Sequence, residues 1–125
     1  MSTGYTGTFA ALRNVLRKVE GRTQVSRDTV TEYTLVTKKP SPFPQHKGHP
    51  MYFAQVRLGK AYASFHLMPL YMNAGLTASV SAALRKRMQG KTCFNFKSVP
   101  APELLGELMK LTKAGLEVYE ERGWL

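Results

Sequence analysis

The chain has 125 residues, and its 18 lysines and arginines outnumber its 8 acids to give a formal net charge of +10. This length leaves room for one domain, spanning residues 1–125, with one hydrophobic core. The one cysteine, Cys93, excludes an intrachain disulfide framework and is typical of a reducing compartment, so we expect a cytoplasmic protein. The N-terminus lacks the apolar core of a signal peptide because Arg13 and Arg17 interrupt it. No segment approaches the roughly 18 apolar residues that cross a bilayer, so we predict no membrane partner.

The positive charge is concentrated in the middle of the sequence. Between Tyr33 and Pro102 the chain carries ten bases and no acid, while the other eight bases balance the eight acids. Such a field favours anions and repels free metal cations. The ten bases are Lys38, Lys39, Lys47, Arg57, Lys60, Arg85, Lys86, Arg87, Lys91 and Lys97.

The first third of the chain predicts a helix, a strand and a loop. Apolar residues recur at helical spacing at Phe9, Leu12, Leu16 and Val19. Gly21 is a typical residue for ending this helix. Residues 29–37 are rich in β-branched side chains and predict a strand. Residues 39–50 contain four prolines and predict an extended connector, which could also cover one mouth of the fold.

Two alternating segments then predict neighbouring strands, at residues 51–59 and 61–68, joined by a turn at Gly59–Lys60. In the first, Tyr52, Ala54, Val56 and Leu58 are predicted to face one way, and Phe53, Gln55 and Arg57 the other. In the second, Ala61, Ala63, Phe65 and Leu67 alternate with Tyr62, Ser64, His66 and Met68. One apolar and one mixed face per strand is typical of an antiparallel sheet covered by helices on one side.

The last third predicts a helix from about Thr77 to Gln89, a strand at residues 91–97 and a final helix starting near Pro102. The buried stripe of the final helix is predicted at Leu105, Leu108, Thr112, Leu116 and Tyr119. The sequence therefore predicts an α+β fold with the order α-β-β-β-α-β-α, in which a curved antiparallel sheet of four to five strands has helices on one face.

Two blocks in the centre of the chain, MYFAQVRLGKAYASFHLMPLYM and LRKRMQGKTCFNFK, resemble the YdhG-like family of small bacterial proteins of unknown function. The matching residues are Gly59, Lys60, Tyr62, Ser64, His66, Leu67, Met68, Pro69, Gly90, Lys91, Cys93, Phe94 and Phe96. The resemblance covers about 50 residues and implies a compact α+β fold related to that of frataxin.

Some relatives are described as iron chaperones, so the resemblance also implies a frataxin-like iron- or metal-handling role as an alternative function. Iron binding of that type uses a ridge of acids on the first helix and first strand. The first helix here carries Arg13, Arg17 and Lys18, and the acids in these regions are Glu20, Asp28 and Glu32. This set is too small for a ridge, so we predict no metal site and no cofactor.

The mixed face of the sheet is the strongest candidate for a functional surface. The strand phasing places on it Arg57, Tyr62, Ser64, His66, Cys93, Asn95 and Lys97. Cationic, hydroxyl and aromatic groups together suit a phosphate, a carboxylate or a nucleic-acid backbone with a base stacked on the aromatic ring. A homodimer interface and a solvated face are the alternatives. We predict an anion-binding site formed by Arg57, Lys60, Tyr62, His66, Asn95 and Lys97.

Three other groups carry weaker signals. Arg85, Lys86 and Arg87 are a dense cationic cluster, but three consecutive helical residues fan around the axis and favour a solvated face. His46 and His49 lie in the proline loop without fixed geometry for a metal.

Cys93 and His66 could form a nucleophile and its base, with basic surroundings lowering the pKa of the thiol, although a half-buried structural cysteine is the preferred interpretation. No phosphate loop, carboxylate pair or serine elbow is present. We therefore predict a non-enzymatic domain that binds an anionic ligand or nucleic acid.

Overall fold

The computed structural model describes residues 4–125, which form an α+β fold around a six-stranded antiparallel sheet. The strands lie side by side in the order β1-β2-β3-β4-β6-β5. This confirms the predicted fold class, with one strand more than the upper predicted number. The elements in chain order are α1 (Gly4–Arg17), β1 (Gln24–Asp28), β2 (Glu32–Pro40), β3 (Pro50–Leu58), β4 (Ala63–Leu67), α2 (Pro69–Met72), α3 (Ala74–Ala78), α4 (Ala82–Arg85), β5 (Met88–Gln89), β6 (Cys93–Phe96) and α5 (Pro102–Glu121).

The two long helices cover one face of the sheet. α1 contacts β3, β4 and α5, and its predicted stripe of Phe9, Leu12 and Leu16 is buried. The ring of Tyr119 on α5 meets that of Phe53 on β3 edge to face, with centroids 5.2 Å apart. The hydrophobic core therefore lies between the sheet and this helical layer, and within residues 4–125 neither long helix covers the opposite face of the sheet.

α5 forms as its sequence predicts. Pro102 occupies the first turn together with Glu103, and Gly123, with φ 77°, follows the end of the helix. Gly115 lets α5 approach its neighbours closely, because a Cβ at this position would lie 2.7 Å from Pro69 Cγ. None of the helices over residues 4–125 is both long enough and apolar enough to span a bilayer.

The predicted strand at residues 29–37 is wrong in its boundaries. Residues 29–31 form the turn between β1 and β2, where Thr29 N donates to Glu32 O at 2.8 Å and Val30 is 84% exposed. β1 itself was not predicted, because all five of its side chains are exposed and its sequence has no apolar alternation. The first helix likewise ends at Arg17 instead of Gly21, and a short 3₁₀ turn follows at Glu20–Arg22.

The predicted helix from Thr77 to Gln89 is replaced by two short helices and a strand. Ser81 interrupts it: the Ser81 backbone N–H and hydroxyl both donate to the carboxylate of Glu107, at 2.8 and 2.6 Å. The Ser81 hydroxyl also accepts from Leu84 N and so caps α4. Because this cap starts a new helix, Val80 and Leu84 are buried on either side of a break in the chain's helical structure. Their spacing therefore does not mark one continuous helix.

The connector at residues 39–50 begins as strand and packs against the end of the chain. β2 continues to Pro40, which lies opposite Pro50, and a 3₁₀ turn forms at Pro44–His46. Phe43 contacts Trp124 with ring centroids 5.7 Å apart. The loop is therefore partly ordered by strand pairing and aromatic packing.

The predicted phasing of β3 is wrong at its start because the strand contains a β-bulge. Leu35 pairs with Ala54 and Val36 with Tyr52, so Phe53 is an extra residue. Phe53 and Ala54 are consecutive and both fully buried. The alternation from Ala54 to Leu58 follows the prediction, whereas Phe53 turns toward the helices.

Candidate functional site

The sheet register brings polar side chains from four strands together on the uncovered face. Strand pairing places Arg57 opposite Ser64, Ser64 opposite Asn95, and His66 opposite Cys93. Directly paired residues point to the same face of a sheet, so the predicted common side of these five residues is confirmed. Gln55 pairs with both His66 and Thr34 and extends this polar face toward β2.

A groove of about 580 Å³ lies over this face, and we call it the open-face groove. Its floor comes from β4, β5 and β6, and one wall comes from the turn between β3 and β4. Gly59 N donates to Tyr62 O at 2.9 Å, which closes that turn. The groove is lined by Arg57, Leu58, Gly59, Lys60, Ala61, Tyr62, Ser64, His66, Gln89, Cys93 and Asn95.

Five of the six residues predicted to bind an anion line the open-face groove. They are Arg57, Lys60, Tyr62, His66 and Asn95. Lys97, the sixth, does not line it and lies exposed beyond the end of β6. Tyr62 lies in the turn before β4 and not within the strand.

Two cations of the groove are free to meet a ligand. Arg57 and Lys60 are exposed, and neither side chain forms a hydrogen bond or a salt bridge with any residue from 4 to 125. Many other bases are engaged locally. Lys38 donates to Gly21 O at 2.9 Å, and Arg85 donates to Thr77 O at 3.0 Å.

Glu32 is a residue of this face that the sequence interpretation missed. It lies opposite Arg57 in the pairing of β2 with β3. Its carboxylate accepts from Gln55 Nε2 at 2.8 Å and from Thr34 Oγ1 at 2.9 Å, and lies 3.5 Å from Arg27 Nε. The uncovered face therefore carries one acid, and its negative charge is held on the β1–β2 side.

A hydrogen-bond network centred on Asn95 holds the floor of the groove. The hydroxyl of Ser64 donates to Asn95 Oδ1 at 2.9 Å, and the Cys93 thiol donates to the same oxygen at 3.3 Å. Asn95 Nδ2 in turn donates to Gln89 Oε1 at 2.6 Å. These hydrogen bonds hold the polar groups of the floor in defined positions, which lowers the cost of ordering them when a ligand binds.

His66 and Cys93 are adjacent, but their environment keeps both neutral. His66 Nε2 lies 3.5 Å from Cys93 Sγ. Burial, and then the charge of Arg57, lowers the pKa of His66. Burial raises the pKa of the Cys93 thiol. The prediction that basic surroundings lower the thiol pKa is therefore wrong, because desolvation outweighs them. A raised thiol pKa opposes formation of the thiolate that a cysteine nucleophile needs.

The remaining candidate residues are dispersed. Among residues 4–125 no three His, Cys, Asp or Glu side chains cluster closely enough to hold a metal ion. His46 Nδ1 is hydrogen-bonded to Ser41 Oγ at 2.6 Å, and His46 and His49 line a separate, largely apolar pocket. Asp28 lies 3.7 Å from Arg17 Nη2, and Glu20 accepts a hydrogen bond from Tyr33.

Comparisons of the chain with protein-family models, with curated proteins and with solved structures gave no match. The resemblance to the YdhG-like family therefore stays a prediction, and the function has to be argued from the groove itself.

Proposed function

We propose that this chain is a YdhG-like binding domain that holds a small anionic ligand in the open-face groove. The observation that carries the proposal is the pair of unpartnered cations, Arg57 and Lys60, beside a concave floor of neutral hydrogen-bonding groups. Arg57 can grip a phosphate or carboxylate with two parallel N–H donors, and Lys60 adds a mobile positive charge. Tyr62 offers an aromatic surface for an unsaturated part of the ligand.

The residues that carry the family resemblance support this location. Six of them line the groove, namely Gly59, Lys60, Tyr62, Ser64, His66 and Cys93. Gly59 is needed where the turn is tight, because a Cβ there would lie 3.0 Å from Tyr62 O. The resemblance and the groove thus point to the same surface, although they rest on independent observations.

Size and charge distribution favour a small ligand over nucleic acid. A volume of about 580 Å³ lies within the range of small-molecule sites. A nucleic-acid surface needs a row of cations that follows a phosphate backbone, whereas the open-face groove is lined by two, Arg57 and Lys60. The free thiol of Cys93 fits an action in the reducing cytoplasm.

Titration of the protein with phenyl phosphate at low ionic strength, followed by calorimetry and backbone amide shifts, tests the proposal. The titration is made at about pH 6, where roughly half of a phosphate monoester keeps its second proton. We expect shifts centred on residues 57–66 and 89–95, and a loss of affinity of about tenfold or more in the Arg57→Gln/Lys60→Gln double variant. Lys97→Gln is the matched control, since it removes one cation that does not line the groove, and should bind like the parent chain.

Equal binding by the double variant and the parent would overturn the proposal. So would tighter binding of a single-stranded oligonucleotide, with a salt dependence that spans many phosphates, because that result assigns the charge to a nucleic-acid surface.

A further inference from the structure

The hydrogen bonds of the groove floor have a direction, and that direction fixes the state of His66. Cys93 Sγ lies 3.3 Å from Asn95 Oδ1 and 3.5 Å from His66 Nε2. A thiol carries one hydrogen, and an amide oxygen can only accept. Both contacts are hydrogen bonds only when the thiol donates to Asn95 Oδ1 and His66 Nε2 donates to the sulfur. A neutral imidazole with its hydrogen on Nε2 leaves a lone pair on Nδ1.

This lone pair is open to the groove. Within residues 4–125, His66 Nδ1 has no hydrogen-bond partner. In the same range, the fully buried side-chain nitrogen or oxygen that lacks a partner is Arg13 Nε, so His66 Nδ1 is not fully buried. His66 Nδ1 is therefore in contact with solvent on the side of the ring away from Cys93. The lowered pKa of His66, caused by burial and then by Arg57, keeps the ring neutral.

Arg57 lies diagonally across from His66. Arg57 pairs with Ser64, and His66 is the next residue on the same face of β4. Diagonal neighbours of this kind are within reach of long side chains, so one tetrahedral anion can contact both. The site would then offer donors at Arg57 and Lys60 and an acceptor at His66.

We propose that the open-face groove selects an oxyanion that carries its own proton, such as a hydrogen phosphate group, whose P–O–H donates to His66 Nδ1 while its charged oxygens accept from Arg57 and Lys60. This inference rests on the proposed anion-binding function and specifies its ligand class. A fully deprotonated oxyanion would direct an oxygen lone pair at the Nδ1 lone pair and leave that acceptor unsatisfied. Unsatisfied polar groups discriminate strongly between otherwise similar ligands.

Inorganic phosphate and sulfate provide the test, because they match in shape but only phosphate retains a proton near neutral pH. We expect phosphate to bind about tenfold or more tightly than sulfate at equal ionic strength, measured by calorimetry with amide shifts of groove residues as the site control. Binding of both anions with equal affinity would overturn this inference and leave the anion site standing. Binding of neither would overturn the proposed function itself.

Two substitutions of Cys93 distinguish an effect of the hydrogen-bond directions from an effect of side-chain size. Cys93→Ser keeps a hydroxyl that can donate to Asn95 and accept from His66, so it should preserve the preference for phosphate. Cys93→Ala removes the acceptor, lets the His66 hydrogen move to Nδ1, and should bring the two affinities within about threefold of each other. An unchanged preference in Cys93→Ala would contradict the directional network.

The tautomer can also be read without any ligand. Two-dimensional ¹⁵N–¹H spectra of the histidine rings distinguish the protonated nitrogen from the unprotonated one. We expect His66 of the free protein to carry its hydrogen on Nε2, and a hydrogen on Nδ1 would sink the inference.

Discussion

Arg57 and Glu32 face each other across β2 and β3 but form no salt bridge, because Gln55 and Thr34 hold the carboxylate of Glu32 instead. Opposite charges directly across an antiparallel pair usually attract one another. Here Arg27 on the next strand lies 3.5 Å from the carboxylate and draws it away from the groove. The guanidinium of Arg57 is consequently available to a ligand.

Replacing Glu32 with glutamine should strengthen anion binding. The substitution removes a negative charge near Arg57 while retaining an oxygen that can accept from Gln55. Removing a like charge beside a bound anion at a partly screened protein surface should raise the affinity about threefold to tenfold. Calorimetry with phenyl phosphate at low salt measures this gain, and added salt should reduce it.

Glu103→Gln is the matched control for that prediction. Glu103 is exposed in the first turn of α5 and does not line the groove, so the same loss of one negative charge should leave the affinity nearly unchanged. Equal gains in the two variants would show that net charge, and not the position of Glu32, governs binding.

The stability of the protein should depend on pH in opposite senses at two residues. The pKa of His66 is lowered by burial and by Arg57 from its ordinary value of 6.5. Just below pH 6.5, His66 is therefore protonated in more of the unfolded chains than of the folded ones. Stability then rises with pH between the folded pKa and 6.5. The pKa of Cys93 is raised by burial from 9.0, so above pH 9.0 only the unfolded chain loses the proton and stability falls.

Urea unfolding at a series of pH values measures both limbs. His66→Asn should reduce the rise in stability with pH below pH 6.5 and leave the loss at alkaline pH in place. Cys93→Ser should reduce the loss of stability between pH 9.0 and pH 10.0. Above pH 10.0 the loss should persist, because burial also raises the pKa values of Tyr33, Tyr52 and Tyr119 from 10.0. An acid limb of unchanged slope in His66→Asn would mean that other groups, not His66, set it.

Gly115→Ala should destabilise the fold by about 1–3 kcal/mol, the usual effect of adding an atom to a well-packed contact. The new Cβ would lie 2.7 Å from Pro69 Cγ and 3.6 Å from Phe53 Cε1. Gly106→Ala on the same helix is the control, since its Cβ would meet nothing within 4 Å. At Gly106, the higher helix propensity of alanine should raise the free energy of unfolding by about 0.5–1 kcal/mol. Urea midpoints compare the two, and equal changes would rule out the close contact as the cause.

Local pattern predicts the parts of this fold whose burial alternates. β4 and β6 follow the sequence because Phe65, Leu67, Phe94 and Phe96 all face the core. β1 could not be found this way, since it is an exposed edge strand held by backbone pairing with β2. The region around Ser81 was misread because its contact with Glu107 joins positions far apart in sequence.

The candidate site shows the same division. The strand phasing brings Arg57, His66 and Asn95 together without any knowledge of long-range pairing. The place of Glu32 depends on which strand lies beside β3, and that information is not present in any single segment. Alternation alone predicts Lys97 in the groove, but β6 ends at Phe96 and Lys97 lies beyond it.

The bulge at Phe53 divides β3 into two parts that border different surfaces of the protein. Before it, Met51 and Tyr52 border a pocket shared with the proline loop; after it, Arg57 and Leu58 border the groove. Because Phe53 is the extra residue, deleting it would leave Val36 opposite Tyr52 and Leu35 opposite Ala54, and Gln55 and Arg57 would keep their outward orientation. A strand shortened at this point would therefore lose an aromatic ring from the core and still present the same groove, whereas the loss of one residue further along β3 would exchange its inner and outer surfaces.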